Sequence, residues 1–269
     1  MISIKKIFQI IKIIIKNPRV LGYVYVHDDP QKNYVVKHYG LKNGLPTVDF
    51  LHILPDFKET ITHYTSLSHG SMISDYSLLK GLARKFKECR YLEIGTWFGE
   101  SIVNIASIAK ECVSISLSDK ELQQQGATKE EITVQRMFSK NISNIKHIEH
   151  NSRTFDFSSI GKFDLIFIDG DHSYKGVKKD TENAFKILKD EKSIIVWHDY
   201  SNLTGNTIKW GVFSGILDGC PKEKLRNLYH ISNTMCAVYI NKELTGKEIA
   251  SQIPNKTFTI NISSEKVNN

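Results

Sequence analysis

The 269-residue chain is 41% hydrophobic and 24% charged, with 16 glycines, 6 prolines and 4 cysteines. These proportions exclude a fibrous, low-complexity or disulfide-framework protein and suit one substantial core rather than two equal domains. The formal net charge is +7, but Lys5, Lys6, Lys12, Lys16 and Arg19 lie in an N-terminal stretch without acids; the basicity is that of an arm, and nucleic acid is not an expected partner.

Residues 2–16 carry Ile4, Ile7, Phe8, Ile11, Ile14 and Ile15 at helical spacing, opposite Lys5, Gln9, Lys12 and Lys16. The pattern predicts a basic amphipathic helix within an arm over 1–19. It is too short and too lysine-rich to span a bilayer, and no small-residue cleavage site follows it, so the expected location is cytoplasmic. Two readings stay open. The helix lies on an anionic membrane surface, the inner face of the membrane, where each lysine adds about 1 kcal/mol, or it docks on the domain or on a second copy in a homodimer.

Residues 20–70 are broken by Asp28-Asp29-Pro30, Asn43-Gly44 and Leu54-Pro55 and read as an irregular lead-in covering one edge of the core. His63, Tyr64, His69 and Gly70 stand near an active-site mouth in this reading. The domain proper is expected over 71–242. A helix capped by Ser74 or Asp75 runs to about 87, followed by a strand at 91–94, a glycine loop at 95–99 and a helix at 100–110. Further strands are predicted at 112–117, 145–150, 163–168 and 193–197. Helices intervene, one opened by a Thr128/Glu131 capping box and reaching about 141, another over 174–189. A helix at 208–217 precedes an antiparallel hairpin, 228–231 and 235–240. The tail over 243–269 is polar, with one strand pattern at 257–262. Alternating strands and helices predict an α/β, doubly wound, seven-stranded sheet, mostly parallel and closed by the hairpin.

Cys89, Cys112, Cys220 and Cys236 are widely spaced and form no metal or redox pair, so they read as reduced, buried filler. In open parallel sheets, ligands bind beyond the carboxyl ends of the strands. Polar residues crowd those positions here: 93–101, 116–121, 150–153, 169–174 and 198–200.

Three of these stretches carry a resemblance. Glu-Ile-Gly-Thr-Trp-Phe-Gly-Glu-Ser at 93–101, Phe-Ile-Asp-Gly-Asp-His-Ser-Tyr at 167–174 and Trp-His-Asp-Tyr at 197–200 together resemble class I S-adenosylmethionine-dependent methyltransferases. Within these the chain is similar to the O-methyltransferase branch that includes catechol, caffeoyl-coenzyme A and macrolide-sugar enzymes. The resemblance implies a Rossmann-like fold over about 75–240, S-adenosylmethionine as cofactor, a small-molecule acceptor that is hydroxylated, a sugar or glycan-linked intermediate among the options, and, in metal-using relatives, Mg²⁺ or another divalent cation. It places Glu93, Gly95, Thr96, Trp97, Gly99 and Ser101 around the methionine part of the cofactor, Asn151 and Ser152 at the adenine, and Asp169 beside the sulfonium. Asp169, His198 and Asp199 are the implied metal ligands. His172 stands where catechol-type enzymes have a catalytic lysine, so that His172, Asp169 and His198 form the expected catalytic set; an imidazole there suits proton transfer at neutral pH.

One position departs from the family. The acidic residue that grips the ribose hydroxyls is replaced by Ser116, with Asp119 three residues on as its substitute. A membrane-associated binding module that keeps the fold without turnover is therefore the second reading. A nicotinamide-dependent oxidoreductase is the third, disfavoured because Gly95-Thr96-Trp97 does not continue as Gly-x-Gly-x-x-Gly.

Overall fold

The computed structural model describes residues 4–16, 29–65, 70–202, 207–247 and 255–266; His69 and Arg19 lie outside them. Helix α1, Ile4–Lys16, forms as the apolar spacing predicts. Helix α2, Pro30–Tyr39, stands where an irregular lead-in was expected. Its signals are local: Asp29 accepts from the Gln31 amide as N-cap, Pro30 presets the first turn, and Gly40 closes the helix at φ 72°.

Eight strands form one sheet: β1 Thr47–Val48, β2 Arg90–Ile94, β3 Glu111–Ser116, β4 Ile145–Glu149, β5 Leu165–Ile168, β6 Ile194–Trp197, β7 Leu228–Ile231 and β8 Ala237–Ile240. Their order is β1-β7-β8-β6-β5-β2-β3-β4. Strands β2 to β6 are parallel to one another, and the hairpin β7–β8 joins them antiparallel through Ile194↔Ile240. Seven strands follow the expected pattern. The eighth, β1, comes from the lead-in and adds a two-residue parallel edge to β7. Two residues give no periodicity, which hid it from the sequence. The tail pattern at 257–262 forms no strand; its residues run alongside as irregular chain, Lys256 pairing with Asp49.

Along the strands, successive side chains enter opposite buried layers. Leu92, Ile94, Ile166, Ile168, Ile195 and Trp197 pack with helices α8, Tyr174–Lys186, and α9, Trp210–Gly219. Tyr91, Leu165, Phe167, Ile194 and Val196 pack with helices α4, Ile73–Ala83, and α5, Glu100–Ala106. Burial on both faces is why these strands read as unbroken apolar runs rather than alternating ones. All four cysteines are free and buried. No helix among the described residues is long and apolar enough to cross a membrane.

Strand order reverses at β2, flanked by β3 on one side and β5 on the other. The crevice opens there, above Ile94 and Ile168.

Candidate active site

The loop after β2 rests directly on the backbone after β5. Gly95 has φ 93°, and a Cβ added to it would stand 2.2 Å from the Asp169 carbonyl oxygen and 2.6 Å from Gly170 Cα. Gly99 has φ 84°, and its added Cβ would meet Ser139 Oγ at 2.2 Å. Both glycines are thus demanded by conformation and by protein neighbours, not only by ligand approach. Gly99 is also the N-cap of α5 and carries no side-chain acceptor for the first-turn amides.

Glu93 lies beneath this loop, and the Thr96 side chain turns down onto it. Glu93 is fully buried and accepts hydrogen bonds from Tyr91 Oη at 2.8 Å and Thr96 Oγ1 at 2.9 Å. Burial outweighs the donors Ser101, Tyr91 and Thr96 and pushes its carboxyl up to about 7. Trp97 is 45% exposed and stacks on Phe98 with ring centroids 4.0 Å apart.

A cavity of about 200 Å³ opens above the loop. Gly95, Trp97, Gly99 and Ser101 form one wall, and Gly70, Ser71 and Tyr76 another. Asp169, His172, His198 and Asp199 close it. His172 Nε2 lies 3.4 Å from Asp169 Oδ1 and 3.1 Å from Asp199 Oδ2. One ligand atom from each of Asp169, His172 and Asp199 falls within 4.8 Å of the others. Two carboxylates and an imidazole at that spacing suit a divalent cation, the histidine favouring ions softer than Mg²⁺.

His198 backs this cluster from below. Its Nδ1 approaches Asp169 Oδ1 at 3.2 Å and Asp199 Oδ2 at 3.7 Å, while Nε2 faces the buried Asp75 at 3.2 Å. Burial would lower the imidazole pKa, yet Asp169, Asp199 and Asp75 hold it well above the usual value. For Asp169 and Asp199 burial pulls upward, but His198 and His172 hold Asp169 below the usual carboxylate range, and His198, Lys209 and His172 do the same for Asp199. The hydrogen bond to Asp169 raises His172 above 6.5. Asp199 also has a left-handed backbone at φ 57° and pairs with Lys209. For a residue other than glycine, asparagine or a few like them, that conformation is a local strain of the kind that gathers at functional sites.

The expected adenosine residues lie apart from the cavity wall. Asp119 begins α6, Asp119–Gln124, and its carboxylate meets Arg136 at 3.3 Å; the same guanidinium reaches Glu149 at 3.0 Å. Ser116 ends β3 and its carbonyl accepts from the His150 amide. Asn151 Oδ1 accepts from the Arg153 amide at 3.0 Å, and Ser152 neighbours Asp180. Asp171 is turned into the start of α8, accepting from the Ser173 amide at 2.8 Å and pairing with Arg153, while Ser173 caps the helix. Gly70 lines the cavity; His63 contacts Phe138, and Tyr64 reaches the site only through its edge contact with Tyr76. Asp75, Tyr76 and Lys209 were missed from the sequence as site residues. Asp75 reads there as a helix-start residue, which it also is, its Oδ2 accepting from the Met72 amide.

Residues 92–200 match a family model described as a methyltransferase domain. A search of curated proteins returned no match. Among solved structures the chain is similar to the YcgJ protein from Bacillus subtilis, at 20% identity over 48% of this chain and 52% of that one, with a TM-score of 0.38. It spans about half the length of that relative. It is also similar to the N-methyltransferase NodS from Bradyrhizobium japonicum, at 16% identity over 62% and 92% of the two chains, with a TM-score of 0.41. The O-methyltransferase from Bacillus cereus in complex with SAH gives 16% identity, 79% and 91% coverage and a TM-score of 0.43.

Proposed function

We propose that this chain, whose residues 92–200 match a methyltransferase-domain model, moves the methyl group of S-adenosylmethionine onto a hydroxyl oxygen of a small acceptor, a sugar or glycan-linked intermediate being one option. The observation that carries this reading is that Asp169, His172 and Asp199 open into the same cavity as the loop from Gly95 to Ser101. A donor site and a proton-accepting site then face each other across one small space.

Gly99 leaves the first-turn amides of α5 for a carboxylate, which is what the methionine end of the cofactor offers. Trp97 and Ser101 flank it. The adenosine end extends toward Asn151 and Ser152, with Asp119 taking the ribose in place of Ser116 once it exchanges its contact with Arg136. The acceptor hydroxyl sits against His172, which takes its proton as the oxygen–methyl bond forms and the sulfur–methyl bond breaks. Asp169 and Asp199 face Nε2, orient that imidazole and stabilise the positive charge it gains when its other nitrogen takes the proton, and His198 below keeps both acids ionised. In-line displacement needs little more than such positioning. In a cation-loaded form Asp169, Asp199 and His172 would be the ligands, with His198 behind them; His172 would then not act as the base, and the cation would supply instead a lowered pKa at the acceptor hydroxyl.

The competing reading is a binding module without turnover, favoured by one observation: Arg136 holds both Asp119 and Glu149 at the ribose end. Calorimetry with S-adenosylmethionine, followed by detection of S-adenosylhomocysteine in the presence of hydroxylated sugars and catechols, separates the two. Cofactor binding with product formation supports the enzyme. Binding without product from any hydroxyl acceptor removes the O-methylation claim, and absence of binding at millimolar cofactor removes the enzyme and leaves the module.

The exposed stripe of α1, with Ile7, Ile11 and Ile15 at 45%, 46% and 73% exposure, supports the membrane-surface reading of the arm. These residues recur every fourth position and are not covered by the domain.

A further inference from the structure

A second cavity, of about 300 Å³, lies at the opposite end of the sheet from the crevice, where β6 begins at Ile194 and its antiparallel neighbour β8 ends at Ile240. Its floor is apolar, made by Ile53, Phe86, Ile194, Ile240 and Leu244. Its rim is cationic, made by Lys85, Lys192 and Lys242, with His52 beside them. Among the described residues no carboxylate lines it and none of the three ammonium groups has an ion-pair partner; Glu191 and Glu243, next to them in sequence, stay outside the lining. The crowding is felt: burial and then the charge of Lys242 lower the pKa of Lys85. Like charges gathered over an apolar floor without a counterion are unfavourable for the protein alone, and an anion placed among them removes the cost.

We infer that this cavity is a binding site for an anionic amphiphile, a phosphate-type group held by Lys85, Lys192 and Lys242 with an apolar chain or ring on the floor. The volume is that of a small-ligand site, and the division into few charged groups over an apolar lining is the usual one. Phosphate suits the rim because lysines bind it as point charges. The site is distinct from the methyl-transfer crevice and does not depend on the activity assigned there.

The test uses the full chain and three probes by calorimetry: octyl phosphate, inorganic phosphate and octyl glucoside. Octyl phosphate is expected to bind one per chain and more tightly than either other probe, since these supply only the anion or only the chain. In a Lys85→Gln/Lys242→Gln variant its affinity is expected to fall by about tenfold or more, with S-adenosylmethionine binding unchanged and the thermal unfolding temperature no lower. No saturable binding, equal affinity for inorganic phosphate, or affinity untouched by the double substitution would each overturn the inference. Sedimentation with phosphatidylglycerol vesicles, α1 being intact in both proteins, identifies the source. Weaker sedimentation of the double variant, beyond what α1 supplies to both proteins, points to a bilayer headgroup, and unchanged sedimentation beside lost octyl phosphate binding points to a free amphiphile.

Discussion

The carboxylate of Asp75 lies 3.2 Å from Nε2 of His198, a residue 123 positions later in the chain. Asp75 is fully buried, and it also accepts from the amides of Met72 and Met235, so one side chain ties the start of α4, the β7–β8 hairpin and the floor of the crevice together. Because the other nitrogen of the same ring faces Asp169, the imidazolium stands between two carboxylates. Substituting Asp75→Asn leaves that charge half-compensated. A loss of about 3–5 kcal/mol in urea unfolding is expected, with part regained in the double variant that also carries His198→Asn. Additive losses would show that the two residues do not act as a pair.

Among the four residues that close the crevice, His172 is the one with both exposure and a raised pKa, its hydrogen bond to Asp169 being the main cause. A base must be unprotonated to act, so kcat/KM is expected to rise with pH through a midpoint above 6.5. His172→Gln is expected to lower kcat by about 10²–10⁴-fold and to erase that acid limb, with cofactor affinity preserved. A variant that keeps the limb assigns the proton to another group.

Buried Glu93 titrates the other way from most carboxylates. Between its ordinary value of 4.5 and about 7, the unfolded chain has released this proton and the folded chain still holds it. Folding stability therefore falls as pH rises through that window, by on the order of 3 kcal/mol when it is crossed. Glu93→Gln cannot ionise, and its unfolding free energy is expected to decline less from about pH 5 to about pH 8. Parallel profiles for the two proteins would rule out Glu93 as the source.

At Gly95 the obstacle is backbone, the carbonyl of Asp169, and at Gly99 it is the Ser139 hydroxyl. Gly95→Ala is accordingly expected to cost more than the roughly 1 kcal/mol of a strained left-handed alanine, and to displace Asp169 enough to abolish cofactor binding. For Gly99→Ala, the added change Ser139→Gly is expected to recover the steric part and not the conformational part. Equal stability of the two alanine variants in thermal unfolding would refute this distinction.

Deleting residues 1–19 tests the arm. Sedimentation with anionic vesicles is expected to be lost, while S-adenosylmethionine binding survives, since no described side chain of α1 lines the crevice. Loss of folding or of cofactor binding would instead mean that the helix docks on the domain.

Local pattern was enough for much of this molecule. Apolar runs and caps announce the strands β2 to β8 and helix α8, and the Thr128/Glu131 capping box forms with Glu131 Oε2 accepting from the Thr128 amide at 2.8 Å. The helix it opens, Lys129–Thr133, stops well short of the expected 141, because residues 136 and 138 turn back to give their amides to the Trp97 and Phe98 carbonyls. Strand-end position likewise brought Asp169, His172 and Asp199 under one suspicion, because the chemistry of a parallel sheet collects at that edge.

What the sequence by itself determined was the set of elements, the edge of the sheet that bears polar residues and the glycine loop, all of which depend on neighbours a few positions apart. Only the tertiary structure decided that Glu93 is a buried support rather than part of the cavity wall, that Asp75 lies under His198, that Lys209 pairs with Asp199, and that Arg136 spans Asp119 and Glu149. Those relations join residues brought together by strand order and helix packing. Electrostatic contact depends on distance in space, and that distance has no period along the chain.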